Sequence, residues 1–303
     1  MRNILRLDLG EFTLGWFLLS VLVGGILGAA IKYLFEVQLP ESLKQRRLIR
    51  QRIRKYSYPL LQAASDLELR IDNMLTNGLK GDWLASDIMR ELEEGKGFLK
   101  DPDKRGYFLL SSLYVFARYF AWVEILRREA RFVEFPLGNE AHGLFGILHK
   151  VNNSFRCTSL WPDISDQRSL KDSVGLYRHV QSAIGETMVV ERNKELECIS
   201  FREFANKYRS SGNDDFRFWL RNLVSYFEGL SSIQIENIEK ILEERGEYRV
   251  LRLIAIQYWL FELVCFLDSG FDKVQPRDKK HKQNLLNLLP ERYRASVINL
   301  PAH

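Results

Sequence analysis

The chain is poor in cysteine. Its 303 residues include three, Cys157, Cys198 and Cys265, which lie far apart and form no CxxC pair. A disulfide framework or a structural zinc site needs paired or closely spaced cysteines, so the sequence indicates neither. We expect three thiols, with Cys265 as a small core residue inside an apolar run.

Catalytic and ligand-binding motifs are also missing from the sequence. It contains no GxxxxGK[ST], GxGxxG, GxSxG, HExxH or EF-hand pattern. His142 and His149 are seven residues apart on a predicted helix, roughly 10.5 Å along its axis, which is too far for both to bind one metal ion. Asp214 and Asp215 follow a turn, where aspartate commonly caps a helix. The sequence therefore predicts no metal and no cofactor, and it favours a non-catalytic protein over an enzyme without deciding between them.

Residues 12–31 lack charge altogether. At about 1.5 Å of rise per residue, such a run matches the hydrocarbon thickness of a bilayer. Trp16 lies near its first end and Tyr33 near its second, where aromatic rings favour the headgroup layer. We predict a short segment over 1–11 and a transmembrane anchor over 12–35. A cleaved signal peptide is the alternative, but its apolar run would usually be shorter and would not follow two acidic residues.

A dense group of basic residues follows the predicted anchor. Lysine and arginine resist translocation, so they predict a single-pass protein of the cell (inner) membrane with most of the chain in the cytoplasm. The same side chains predict contacts with anionic lipid headgroups. These residues are Lys44, Arg46, Arg47, Arg50, Arg52, Arg54 and Lys55.

Small residues recur every fourth position inside the predicted anchor, at Ser20, Gly24 and Gly28. Such a strip lets two membrane helices approach closely, so one interpretation of it is a homodimer. The alternative is that the glycines reflect only the general frequency of glycine in membrane helices.

Charge is distributed unevenly along the chain. Residues 1–60 carry ten basic and four acidic side chains, and residues 271–303 carry seven and three. Because the net charge is +5, the 210 residues between them are net acidic. An acidic body without a recognition motif argues against nucleic acid as a partner. The aromatic content of 12% predicts a packed interior.

Beyond the anchor, apolar residues recur by threes and fours, which predicts an all-α protein. We divide the remainder into a basic amphipathic stem over 36–76, a helical cytoplasmic domain over 77–270 and a basic tail over 271–303. Pro59 predicts a kink or a break in the stem. A small β-hairpin is predicted near 187–199, and the sequence from Ser200 onward has the pattern of a capping box.

Two further elements are strongly apolar, residues 106–132 and residues 248–267. The first resembles a second membrane span, but Arg118 lies at its centre, where a charge in lipid costs at least about 2.5 kcal/mol. We therefore interpret both as core helices and expect them to pack on one another. A second span over 106–132 remains the alternative.

Ionisable side chains inside these apolar helices suggest a buried polar cluster of Arg118, Glu124 and Glu262. Buried charges need partners, so the first interpretation is a structural ion pair. The second is a polar pocket for an anionic ligand.

The features together predict a membrane-anchored, non-catalytic interaction or scaffold protein whose protein partner the sequence does not identify. One alternative is a membrane-bound enzyme with its site in a polar pocket between the long apolar helices. Another is a membrane tether for nucleic acid.

Overall fold

The computed structural model of the chain describes residues 16, 19, 21–28, 32–33, 36, 39–75, 104–131, 139–156, 160, 175–210, 214–228, 230, 249–268 and 279–301. Most of these residues are helical, and two short strands form an antiparallel hairpin. The prediction of a mainly helical protein with one small hairpin is confirmed.

The elements follow one another as helices, then the hairpin, then helices again. In chain order they are α1 (Leu39–Asn73), α2 (Lys104–Arg131), α3 (Asn139–Arg156), α4 (Arg178–Met188), β1 (Val189–Arg192), β2 (Glu195–Cys198), α5 (Phe201–Arg209), α6 (Asp214–Glu228), α7 (Arg249–Leu267), α8 (Lys279–Asn287) and α9 (Glu291–Ile298).

The chain divides into two compact units. The first comprises Met1–Arg52 and Val133–Pro136, and the second comprises Ile53–Phe132 and Leu137–His303. The boundary falls inside α1 and therefore inside the predicted stem. The second unit contains the hydrophobic core, which begins in α1 at Tyr56.

Helix α1 runs through Pro59 without interruption. Of the two predicted alternatives, a kink or a break, the break into two helices is wrong. A proline inside a helix costs about 3 kcal/mol, because it removes a backbone hydrogen bond and its ring crowds the preceding turn. Leu60, Ala64 and Leu67 are fully buried along one face of the same helix. Burying one leucine side chain stabilises by about 1.5–3 kcal/mol, so the packed face outweighs the proline.

The two long apolar helices do not have each other as main partners. Helix α2 packs mainly on α4, and α7 packs mainly on α3, which corrects the pairing expected from the sequence. A methyl group built at Gly185 of α4 would lie 2.6 Å from the carbonyl oxygen of Phe120, so a side chain there would prevent this approach. Phe155 of α3 joins the contact, with its ring centroid 5.0 Å from that of Phe120.

Helices α2 and α7 also satisfy the length and composition of membrane spans, over Gly106–Glu129 and Arg249–Leu267. However, 78% of the apolar window of each helix is buried inside the protein. The core helix of a water-soluble domain has the same properties. The burial thus agrees with the interpretation of both as core helices.

The small hairpin lies within the predicted region 187–199. Val189 pairs with Cys198 and Arg192 with Glu195, and Asn193 and Lys194 form the turn with φ angles of 52° and 65°. Positive φ at both central residues is the geometry of the type I′ turn, one of the two favoured two-residue hairpin turns. Immediately after it, Ser200 and Glu203 form the predicted capping box at the start of α5.

Candidate functional site

The described part of the predicted anchor is helical and exposed. All residues from 21 to 28 are exposed, and Leu22 and Ile26 expose 64% and 62% of their surfaces. Large apolar side chains in such a row are unusual on a surface that faces water. The other positions of 12–35, Ser20 among them, lie outside the described residues except Trp16, Leu19, Lys32 and Tyr33.

Two of the three residues in the small-residue strip are described. A methyl group added at Gly24 or at Gly28 would meet none of the described atoms within 4 Å. Close helix–helix packing in a membrane uses such small residues.

The basic stem residues all lie within the bounds of α1. The side chains of Arg47, Arg54 and Lys55 are exposed, and those of the other four predicted headgroup contacts lie outside the described residues. Lys55 is already engaged within the protein, since its Nζ lies 2.6 Å from Oε1 of Glu195. That hydrogen bond raises the pKa of Lys55.

The structure places Arg118, Glu124 and Glu262 in three separate ion pairs and does not bring them together. Nη1 of Arg118 lies 2.6 Å from Oδ2 of Asp66, whose side chain is 51% exposed. Glu262 pairs with Lys282 of α8, with 2.5 Å between Oε1 and Nζ. Arg118 and Glu124 lie on α2 and Glu262 lies on α7, and these two helices have different main partners.

Glu124 is the one member of the predicted cluster that is deeply buried, with 3% of its side chain exposed. It accepts hydrogen bonds from Arg127 at 3.0 Å and from Arg128 at 3.1 Å, both on the next turn of α2. The two guanidinium groups offset the cost of burying this carboxylate. Glu124 therefore lies in ion pairs with two residues of its own helix.

A small polar cavity adjoins Glu124 between α2, α3 and α4. It is partly open to solvent and has room for about one water-sized molecule. Its lining consists of Phe120, Val123, Glu124, Arg127, Asn152, Gln181 and Ser182.

Hydrogen bonds fix most of the polar groups around this cavity. Arg127 donates from Nη1 to Oγ of Ser182 at 2.7 Å. Gln181 donates from Nε2 to the carbonyl oxygens of Asn152 at 3.1 Å and Leu176 at 2.6 Å. Asn152 is 7% exposed, and its Oδ1 atom has no hydrogen-bond partner in the described part of the chain.

A second polar cluster lies where α1, α7 and α8 meet. Gln257, fully buried, donates from Nε2 to Glu68 at 3.4 Å and to Asp72 at 3.2 Å, and Nε2 of His281 lies 3.3 Å from Oε1 of Glu68. Among the described residues, no three histidine, cysteine or acidic side chains are placed to hold a metal ion. We interpret this cluster as hydrogen bonding that compensates the buried Glu68 carboxylate.

Sequence reasoning missed this second cluster because its members are separated by up to about two hundred positions. One feature of the sequence points to such a cluster. A polar residue such as Gln257 stands where the helical pattern of α7 otherwise has apolar residues. A pattern of this kind shows that a polar side chain is buried, but it does not show which helix faces it.

Two residues that could act as a nucleophile or a base, Cys198 and Asp214, are held by burial and by an ion pair. Burial raises the pKa of the Cys198 thiol to about 12, so the nucleophilic thiolate is scarce at neutral pH. Asp214 pairs with Arg217 in the first turn of α6, in keeping with its predicted role at the helix start. Cys157 and the side chain of His142 lie outside the described residues.

Comparison with protein-family models, with curated proteins and with solved structures found no match to this chain.

Proposed function

We propose that this chain is a single-pass membrane protein with its amino terminus outside the cytoplasm and that its helical domain is a non-catalytic interaction or scaffold module. The observation that carries the proposal is a contrast between apolar helices. Helices α2 and α7 are mostly buried, whereas the apolar residues from 21 to 28 are all exposed.

This contrast supports lipid as the environment of the amino-terminal helix. Full burial of a valine, leucine or isoleucine side chain contributes about 1.5–3 kcal/mol. Val21, Leu22, Val23, Ile26 and Leu27 each expose roughly half of their surface or more. A helix satisfies its own backbone hydrogen bonds, so lipid can cover these side chains without leaving polar groups unpaired.

The basic stem supports attachment to anionic headgroups next to this anchor. A basic residue near an anionic membrane surface contributes about 1 kcal/mol. Arg47 and Arg54 are exposed on α1, whereas Lys55 is paired with Glu195.

The polar cavity beside Glu124 is smaller than a usual substrate site. Sites for small-molecule substrates usually enclose about 300–1,000 Å³. This cavity admits about one water-sized molecule, and the Cys198 thiol is held protonated by its burial. The open strip at Gly24 and Gly28 supports a second copy of this chain as one partner.

The anchor can be tested by placing charge on exposed leucine and isoleucine positions. An arginine at the centre of a membrane helix costs about 2.5–3.5 kcal/mol, so Leu22→Arg combined with Ile26→Arg should release the full chain from membranes at alkaline pH. The matched control is Leu69→Arg combined with Leu288→Arg, which changes exposed leucines of the helical domain. The control should stay in the membrane pellet. Equal retention of both double variants would contradict the anchor.

A further inference from the structure

We propose that α8 is a charge-controlled strap. It closes over α1 and α7 when its basic first turn pairs with acidic side chains of those helices, and it opens when this pairing is weakened. The strap goes beyond the proposed membrane function and does not depend on it, because all three helix segments involved belong to the second compact unit.

The first support is that α8 has little stability of its own. It has 9 residues, and isolated helices shorter than about 12–15 residues are marginal in water. It begins with Lys279, Lys280, His281 and Lys282, and its first turn contains no acidic residue. The amino end of a helix carries a partial positive charge, which disfavours cations there. Helix α8 therefore depends on partners in other helices.

The second support is that two helices supply acidic partners for this turn. Nζ of Lys282 lies 2.5 Å from Oε1 of Glu262 on α7, and Nε2 of His281 lies 3.3 Å from Oε1 of Glu68 on α1. The side chains of Lys282 and Glu262 are 36% and 30% exposed, so their ion pair is within reach of salt and solvent. The contact that holds the first turn is thus one that a change of charge can weaken.

The third support is that the rest of this region is held by neutral acceptors. Arg294 of α9 donates from Nε to the carbonyl oxygen of Leu289, just after α8, at 3.0 Å. Trp259 of α7 donates from Nε1 to the carbonyl oxygen of Val297 in α9, also at 3.0 Å. Neutralising an acidic side chain leaves both bonds in place. Helix α8 should therefore open from its first turn while α9 stays docked.

Opening of the first turn uncovers aromatic side chains of α7. Lys282 lies over the ring of Tyr258, with Nζ 5.0 Å from the ring centroid, and the ring of His281 lies 5.9 Å from that of Phe261. Tyr258 and Phe261 are both buried in the closed arrangement. An open strap therefore exposes an aromatic surface with the Glu262 carboxylate beside it.

The test is amide hydrogen exchange of the full chain in detergent micelles, with α8 and α9 followed separately by mass spectrometry. Glu262→Gln removes the charge that pairs with Lys282 and keeps the shape of the side chain. We expect exchange in α8 to become about 1.5 to 5 times faster, which corresponds to the usual contribution of an exposed ion pair, and exchange in α9 to stay unchanged.

The matched control is Glu186→Gln, which removes an exposed carboxylate that lies 3.4 Å from Arg128 and should leave α8 unchanged. Unchanged exchange of α8 in Glu262→Gln, or equal acceleration of α8 and α9, would overturn the proposal.

A second comparison reverses the charges of the pair. Glu262→Lys places two cations side by side and should accelerate exchange in α8 more than Glu262→Gln does. Adding Lys282→Glu restores opposite charges and puts a negative charge near the amino end of α8, where the helix dipole favours it. Exchange in α8 should then return to the wild-type rate or fall below it. Continued fast exchange in the double variant would contradict the strap, since Glu262→Lys would then act through packing and not through the ion pair.

Discussion

The ion pair between Arg118 and Asp66 shows how much a residue's role depends on its exposure. The sequence placed Arg118 at the centre of an apolar helix, which suggested a charge held deep in the core. In the structure its partner Asp66 is half exposed and belongs to α1. Water therefore solvates the carboxylate whether or not the arginine is present.

Replacing Arg118 by methionine should accordingly cost little. Exposed ion pairs usually contribute about 0.2–1 kcal/mol, whereas stranding a buried charge costs about 3–5 kcal/mol. We expect Arg118→Met to lower the free energy of unfolding by no more than about 1 kcal/mol in urea titrations. The double-mutant cycle with Asp66→Asn should give a coupling energy in the same range. A loss of 3 kcal/mol or more would show that Arg118 has a buried acidic partner.

At the scale of elements, the closest approach of two helices depends on one glycine. Gly185 lets α4 contact the backbone of α2 at Phe120, and backbone atoms cannot move aside as a flexible side chain can. Gly146 on α3 also lies within a helix, but a methyl group added there would meet no described atom within 4 Å.

The two glycines should respond to alanine with opposite signs. Gly185→Ala should destabilise the domain by about 1–3 kcal/mol, the usual cost of overpacking a core. Gly146→Ala should stabilise it by about 0.5–1 kcal/mol, since alanine is the better helix former. Chemical unfolding of both variants gives the comparison. A neutral Gly185→Ala would mean that the two helices are not in close contact.

The elements also show what the sequence can and cannot predict. The hairpin and the capping box were predictable because each is set by a few neighbouring residues, such as Asn193 and Ser200. The partners of α2 and α7 were not, because these helices are apolar on most sides and show no single buried face. The cavity at Asn152 combines residues of three helices, and no local pattern links them.

For the whole molecule, the account combines an exposed apolar helix, a basic stem and a helical domain with a buried core. Its central claim is that residues 12–35 cross the membrane once and leave the domain in the cytoplasm. The charge asymmetry around this segment predicts its direction, because the basic residues lie after it.

The most direct measurement is labelling of single introduced cysteines with a membrane-impermeant maleimide in intact cells. We predict that Asn3→Cys is labelled from outside, and that Asn299→Cys, an exposed position after α9, is labelled only once the membrane is permeabilised. Protection of Asn3→Cys in intact cells, or labelling of Asn299→Cys from outside, would contradict the account.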